Sequence, residues 1–244
     1  VGIMLSSSSM SGATTPPDKL QQLRARVDSA ATPAGRVEAT YALAKELWLK
    51  DPTAVRPLLE QVVAEADAAG RPIDGGRAAY MLGELSRRAG DLESAARYAE
   101  IVFKVAEATG DRRIRAFGLN LVGCVHERRG EHESALRCFE EYLQITRQTG
   151  MGAAERSALN QLACAHALRG DLENALERYQ QCLEANTKAG DAHGRTTSLY
   201  NIGWTLAAMG RWTEATESFY RAIALCEEHG FYDPLASARM SLGE

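Results

Sequence analysis

Two Cys-x-His triplets are the first candidates for chemistry in this sequence. Cys124 and His126 form one triplet, and Cys164 and His166 form the other. Thiolates and imidazoles are zinc ligands, but residues two apart on a helix point about 200° apart, so one triplet cannot hold one ion. If Cys124 and Cys164 came together from the two triplets, they would provide too few ligands for a zinc ion. We therefore predict no metal site and no cofactor.

Catalytic motifs of other kinds do not stand out either. The sequence offers no Ser-His-Asp order, no glycine-rich phosphate loop and no paired-carboxylate motif on a strand framework. Its glycines are evenly spaced and are expected to lie in the turns between helices. We expect a protein that is not an enzyme.

Asparagines recur at nearly the same interval as the triplets. Asn120 and Asn160 are separated by that interval, and Asn201 follows at one residue more. A carboxamide carries a donor and an acceptor, which suits the backbone of an extended peptide; the alternative is an ordinary polar group facing solvent. Trp204 also has two interpretations. Its indole is either an exposed anchor for a partner or a ring packed against Tyr200 or a neighbouring repeat.

Arginines are concentrated in the N-terminal half of the stretch that carries these candidates. They are Arg77, Arg87, Arg88 and Arg128. Guanidinium groups pair with carboxylates, which favours an acidic peptide as ligand. The alternative is a solvated face on which Glu84 and Glu127 neutralise the arginines internally.

Composition limits the class of protein. The net charge is −4 over 244 residues, so no global positive field attracts nucleic acid or an anionic membrane. No apolar run approaches the ~18 residues of a membrane-spanning helix, and Val1 to Leu5 lack the basic leader of a signal peptide. Five scattered cysteines fit reduced thiols. These features predict a cytoplasmic protein with no nucleic-acid partner and no membrane insertion.

Regularly spaced glycines, which we call the glycine ladder, predict the ends of the helices that position these residues. Glycine occurs at one fixed interval from Gly70, through Gly90 and Gly110, to Gly230, and amphipathic helical patterns lie between the glycines. Self-similarity at a fixed period indicates a repeat protein. Two successive intervals between glycines form one repeat unit, which contains a first helix and a second helix. A small residue marks each helix, as Gly123 and Ala135 do in one unit, so that the two helices approach closely and larger residues such as Phe139 interlock.

The repeat boundaries follow from the ladder. We predict a disordered leader at 1–16 and a helical repeat domain at 17–244, made of a capping helix (17–34), a degenerate repeat (35–70), four regular repeats (71–110, 111–150, 151–190 and 191–230) and a truncated repeat (231–244). In the degenerate repeat Pro52 ends the first helix and Thr53 is the expected cap of the second. The incomplete last unit leads us to expect that the native protein continues into an effector domain.

The pattern resembles the tetratricopeptide repeat family. Leu199, Ile202-Gly203, Gly210, Ala215, Phe219 and Ala222 match its consensus in order, as do Leu119, Val122-Gly123, Gly130, Ala135 and Phe139. The period of 40 exceeds the family's 34, and the closing proline is missing. This variant is similar to arrays of bacterial signalling proteins, including sensor segments ahead of GGDEF-type diguanylate cyclases and peptide receptors of the Rap and PlcR type.

The resemblance implies an all-α fold: a right-handed superhelical solenoid of antiparallel helix pairs with about 11–12 helices. In that fold the first helices line a concave groove. The groove positions are then Arg77, Tyr80, Met81, Glu84, Arg87, Arg88, Phe117, Asn120, Leu121, Cys124, Glu127, Arg128, Ser157, Asn160, Gln161, Cys164, Ala167, Thr197, Tyr200, Asn201, Trp204 and Ala207. The residues that we expect to contact a ligand are Arg77, Tyr80, Glu84, Arg88, Asn120, Cys124, Arg128, Asn160, Gln161, Cys164, Tyr200, Asn201 and Trp204.

The resemblance also implies a mode of action. We expect a module that binds a protein or peptide segment in the groove and regulates a C-terminal effector, such as a diguanylate cyclase. The alternative is an oligomerisation scaffold, in which the array forms a homodimer through its convex face and brings effectors together without a groove ligand.

Overall fold

The computed structural model describes residues 17–48 and 50–230, which contain eleven α-helices and no strand. The helices are α1 (Pro17–Asp28), α2 (Pro33–Leu47), α3 (Pro52–Glu65), α4 (Pro72–Arg88), α5 (Leu92–Thr109), α6 (Arg112–Arg128), α7 (His132–Gln148), α8 (Gly152–Leu168), α9 (Leu172–Lys188), α10 (Ala192–Ala208) and α11 (Trp212–His229). The predicted all-α solenoid of antiparallel helix pairs is confirmed. The predicted leader (1–16) and truncated repeat (231–244) lie outside the described residues.

The chain divides into two compact units between Leu82 and Gly83, within α4. In the first unit α2 packs against α3, and Leu43 and Leu59 are buried between them. The cap of α3 is Asp51 and not the expected Thr53. Oδ1 of Asp51 accepts hydrogen bonds from the backbone N–H groups of Thr53 and Ala54, at 3.2 and 3.1 Å. A carboxylate placed before the helix reaches its free donors better than a residue within the first turn.

In the second unit each helix from α5 to α10 packs against the next one along the chain. The buried positions of α7 show why: Ala135, Phe139, Tyr142 and Thr146 recur every three or four residues and form one apolar stripe. Even-numbered helices from α6 onward are the first helices of the repeats, and odd-numbered ones from α5 onward are the second helices.

The glycine ladder produces the turns between helices. All nine ladder glycines from Gly70 to Gly230 have positive φ, between 66° and 81°. Side chains with a Cβ rarely adopt this left-handed conformation, so a glycine follows each helix from α3 to α11, where the chain reverses. The predicted close approach of the paired helices is also present. Gly123 faces the ring of Phe139, and Gly203 faces the ring of Phe219.

Candidate functional site

Side-chain amides link the first helices of neighbouring repeats. Asn201 on α10 donates a hydrogen bond from Nδ2 to Oδ1 of Asn160 on α8, over 3.1 Å. Gln161 on α8 donates from Nε2 to Sγ of Cys124 on α6, over 3.2 Å. The structure therefore brings four of the predicted contact residues together, and it uses their polar groups to join α6, α8 and α10.

Asn120 and Cys124, which were predicted to contact a ligand, are buried between helices. They are only 6% and 2% exposed. Leu121, also an expected groove position, is fully buried against Gly83, where the missing side chain leaves room for its methyl groups. The close packing of α6 on this glycine places these residues below the surface of the groove.

Burial also keeps the thiols of the groove protonated. It raises the pKa of Cys124 to about 12 and raises the pKa of Cys164 above its usual range. Sγ of Cys164 lies 3.1 Å from the hydroxyl oxygen of Tyr179 on α9. Because the thiolate is the reactive form of cysteine, neither residue is suited to nucleophilic chemistry at neutral pH.

The histidines of the Cys-x-His triplets close inter-helix turns. Nδ1 of His166 lies 3.0 Å from Oδ2 of Asp171, and the backbone N–H of Asp171 donates to the carbonyl oxygen of His166, also at 3.0 Å. His126 and Glu131 make the same two contacts one repeat earlier. The signal for this role in the sequence is the five-residue spacing of histidine and acid, which is the same in the two repeats.

Several charged groups of the predicted site are paired internally. Arg87 donates from Nε and Nη2 to the two carboxylate oxygens of Glu84, at 3.0 and 2.9 Å, and Glu84 is buried. In the first unit, Arg77 pairs with Asp74 at 3.5 Å, and Tyr80 is half-buried. For these arginines the geometry favours a neutralised face over a dedicated site for acidic groups.

Two other arginines remain at the surface. Arg88 and Arg128 end α4 and α6, and both are exposed. Beside Arg128, burial raises the pKa of Glu127 above its ordinary value. Each of these two helices therefore ends in an exposed guanidinium group.

Apolar side chains replace the charged ones on the next two first helices. The indole of Trp204 on α10 is 61% exposed. Tyr200, one turn earlier, packs on Phe219 with ring centroids 5.8 Å apart, so the exposed indole is the interpretation of Trp204 that the structure supports. Leu168, the last residue of α8, is 58% exposed and was not among the predicted contact residues. Its signal is its equivalence to Arg128 of the preceding repeat, where the sequence changes from charged to apolar.

A polar cleft of about 270 Å³ lies between α8 and α10. Its lining includes Ser157, Asn160 and Thr197 together with the pair of Arg156 and Asp191, whose charged atoms are 3.5 Å apart. Hydroxyl, amide and charged groups thus surround a space large enough for a polar side chain, along the N-terminal halves of the two helices that carry the amide link.

Comparison with known proteins identifies the repeat. The sequence profile described as tetratricopeptide repeat matches residues 76–148 and 155–228. The structure is similar to BtubC (BKLC) from P. vanneervenii, with 17% identity, a TM-score of 0.73 and coverage of 91% of this chain and 95% of that one. A putative kinesin light chain from Podosopora anserina gives 19% identity, a TM-score of 0.62 and coverage of 83% and 100%.

A third similar structure is a Rap protein complexed with Competence and Sporulation Factor. It is 13% identical, with a TM-score of 0.73, and the match covers 91% of this chain and 62% of that one. At these identities the three similarities concern the fold. The comparison with curated protein sequences gives no match. No helix of the described residues is long and apolar enough to cross a membrane.

Proposed function

Because this chain belongs to the tetratricopeptide repeat family, whose repeat is a scaffold for protein interactions, we propose that it binds a protein or peptide segment along its first helices. The site of contact is the surface of α8 and α10. The observation that carries this proposal is the exposed indole of Trp204, one turn along α10 from the link between Asn201 and Asn160.

The chemistry of this surface suits an extended segment. Side chains of an extended chain alternate between opposite faces, while its backbone presents donors and acceptors between them. A partner lying across α8 and α10 would place its backbone at the amide link, one side chain towards the polar cleft and the next towards Trp204 and Leu168. Aromatic anchors of this kind dominate the affinity of many interfaces.

The test compares two tryptophans of similar exposure. Trp204 is 61% exposed and Trp212, the first residue of α11, is 68% exposed. Wild type, Trp204→Ala and Trp212→Ala proteins are used to capture partners from a cell lysate, after circular dichroism has shown that all three fold. Peptides tiled across a captured partner then give dissociation constants.

We expect Trp204→Ala to weaken binding of the matching peptide by about 30-fold, which corresponds to the ~2 kcal/mol of a strong interface anchor. Trp212→Ala should bind like wild type. Equal binding by all three proteins, or a loss confined to Trp212→Ala, would remove the site from α8 and α10.

The biological role that we propose is regulation within a cytoplasmic signalling protein. All five cysteines are unpaired thiols, which suits a reducing compartment. The structural similarity to a Rap protein complexed with a signalling factor supports a sensor role as a hypothesis. Deleting this array from its full-length protein and measuring the activity of any linked domain, with and without the captured partner, tests the role.

Self-association is the second candidate function, and exposed aromatic residues on α11 favour it. Trp212 and Tyr220 are 68% and 52% exposed. If these residues join two copies, light scattering will show a dimer for wild type and a monomer for Trp212→Ala. A monomer for both proteins at micromolar concentration would reject this candidate.

A further inference from the structure

A second cleft lies between the second helices of two neighbouring repeats, away from the amide link. It has a volume of about 410 Å³ and lies between α7 and α9, with α8 contributing to its lining. Leu143 on α7 and Leu162 on α8 supply its apolar surface, and both are nearly buried at the base of the cleft. This volume is sufficient for a bulky aliphatic or aromatic side chain of a partner.

One wall of this cleft contains a buried donor with no acceptor. Arg178 on α9 donates from Nη1 to Oε1 of Gln181 at 3.1 Å, and the same atom is 3.7 Å from a carboxylate oxygen of Glu177. The Nε–H of Arg178 is buried, and no acceptor for it exists among residues 17–48 and 50–230. Buried N–H groups in folded proteins are nearly always hydrogen-bonded, so this donor indicates an acceptor supplied from outside the chain.

The charge of the lining distinguishes this cleft from its equivalents in the neighbouring repeats. Arg147 and Arg178 place one guanidinium on each wall, with Glu140 as the acid among the lining residues. Nε of Arg147 already donates to Oε1 of Glu155 at 3.0 Å, so the donor that points to an outside acceptor is Nε of Arg178. The equivalent positions of the preceding and following repeats hold no arginine: Glu107 and Thr187 correspond to Arg147, while Cys138 and Ser218 correspond to Arg178. The pair of arginines is therefore specific to the groove between α7 and α9, whereas the preceding and following repeats carry Lys104 and Lys188 at the positions of Gln144 and Gln148.

We propose that this cleft is a docking site for an acidic, aliphatic segment of a partner protein. A bulky apolar side chain of the partner packs on Leu143 and Leu162. A carboxylate next to it accepts a hydrogen bond from Nε–H of Arg178, because a charged acceptor gains most from a guanidinium donor. The site is separate from the surface of α8 and α10 that carries the proposed function.

Three blocked tetrapeptides test this chemistry on the wild-type protein. Acetyl-Glu-Leu-Leu-Glu-amide carries both required groups, acetyl-Gln-Leu-Leu-Gln-amide lacks the charge, and acetyl-Glu-Gly-Gly-Glu-amide lacks the apolar side chains. Binding is followed by the NMR signals of the Leu143 and Leu162 methyl groups. We expect saturable shifts with the first peptide and at least tenfold weaker binding of the other two.

Variants of the protein locate the carboxylate contact. Arg178→Met retains the length of the side chain without the Nε–H and should weaken the first peptide at least tenfold. Lys188→Met is the matched control, because Lys188 is an exposed cation on the same helix that pairs with Glu184 at 2.6 Å. It should leave binding unchanged.

The proposal is overturned if the methyl signals do not shift with millimolar peptide, if the glutamine peptide binds equally well, or if Arg178→Met binds like wild type. Trp204→Ala separates the two sites. Unchanged shifts in that variant place the peptide in the cleft, whereas their loss would place it on α8 and α10 and overturn the assignment. Failure of either site leaves the other one testable.

Discussion

Replacing Gly123 with alanine tests how closely the paired helices α6 and α7 approach. A Cβ atom at this position would lie 2.5 Å from Cε1 and 2.8 Å from Cδ1 of Phe139. Ordinary contacts of a methyl group are about 3.5–4.0 Å, so one partner must move by roughly 1 Å. The ring of Phe139 is fully buried within a cluster of core residues. The added methyl group therefore strains the interface.

Two opposing effects determine the size of the change. Alanine is favoured over glycine within a helix by about 1 kcal/mol, whereas overpacking of a core costs about 1–3 kcal/mol. Because Phe139 cannot rotate out of the core, we take the upper half of that range. Subtracting the helix preference from the overpacking cost, we expect Gly123→Ala to lower the free energy of unfolding by about 1–2 kcal/mol.

Urea unfolding followed by circular dichroism measures this change, and Gly152→Ala is the control. A Cβ at Gly152 would meet only Nη1 of Arg156, at 3.9 Å, so this variant should be as stable as wild type or slightly more stable. Combining Gly123→Ala with Phe139→Leu should recover part of the loss, since a smaller side chain leaves space for the methyl group. If Gly123→Ala alone matches the stability of wild type, the close-packing argument is wrong.

Further predictions concern a glycine turn, the carboxylate of Asp171 and the buried thiol of Cys124. Gly210→Ala should cost about 1 kcal/mol in unfolding experiments, since Gly210 has φ 76°; an unchanged midpoint would contradict this. The pKa of Asp171 is lowered, mainly by the hydrogen bond from Asn174. The ionised carboxylate of Asp171 therefore stabilises the folded protein above the unfolded pKa of ~3.9. This stabilisation is lost as pH falls through the folded pKa. Asp171→Asn should therefore destabilise the protein at pH 7 and have little effect near pH 2. Cys124, with its pKa raised to about 12, should react with iodoacetamide at pH 8 on the order of 10³-fold more slowly than free cysteine, as mass spectrometry of quenched samples would show.

The period of the sequence is sufficient to predict the helices and turns. A regularly spaced glycine needs no knowledge of distant contacts, because a helix end and a left-handed residue are local features. The packing of Gly123 on Phe139 also follows from the sequence, since both positions lie in one helical hairpin. Local rules and a fixed repeat therefore account for the fold of the regular repeats.

The site is less predictable because it depends on rotations between helices of different repeats. Asn120 and Asn160 occupy equivalent positions, yet Asn120 is buried while Asn160 bonds to Asn201. Rotating a helix by a few tens of degrees about its axis moves a side chain from the surface into an interface. The periodicity of the sequence does not determine this rotation. Leu168 was not predicted as a contact residue because it is a single apolar residue at a position that is basic in the two preceding repeats.

The amide link limits what a partner gains from polar contacts on α8 and α10. The Nδ2 of Asn201 already donates to Asn160, and the Nε2 of Gln161 already donates to Cys124. A peptide backbone that takes over one of these groups exchanges one hydrogen bond for another, with little net gain. Removal of the Trp204 indole from water is not offset in this way. Binding at this surface should therefore show a negative heat-capacity change, which Trp204→Ala reduces more than Asn201→Ala does in calorimetric titrations. The reverse order would mean that the amides, and not the indole, provide most of the affinity.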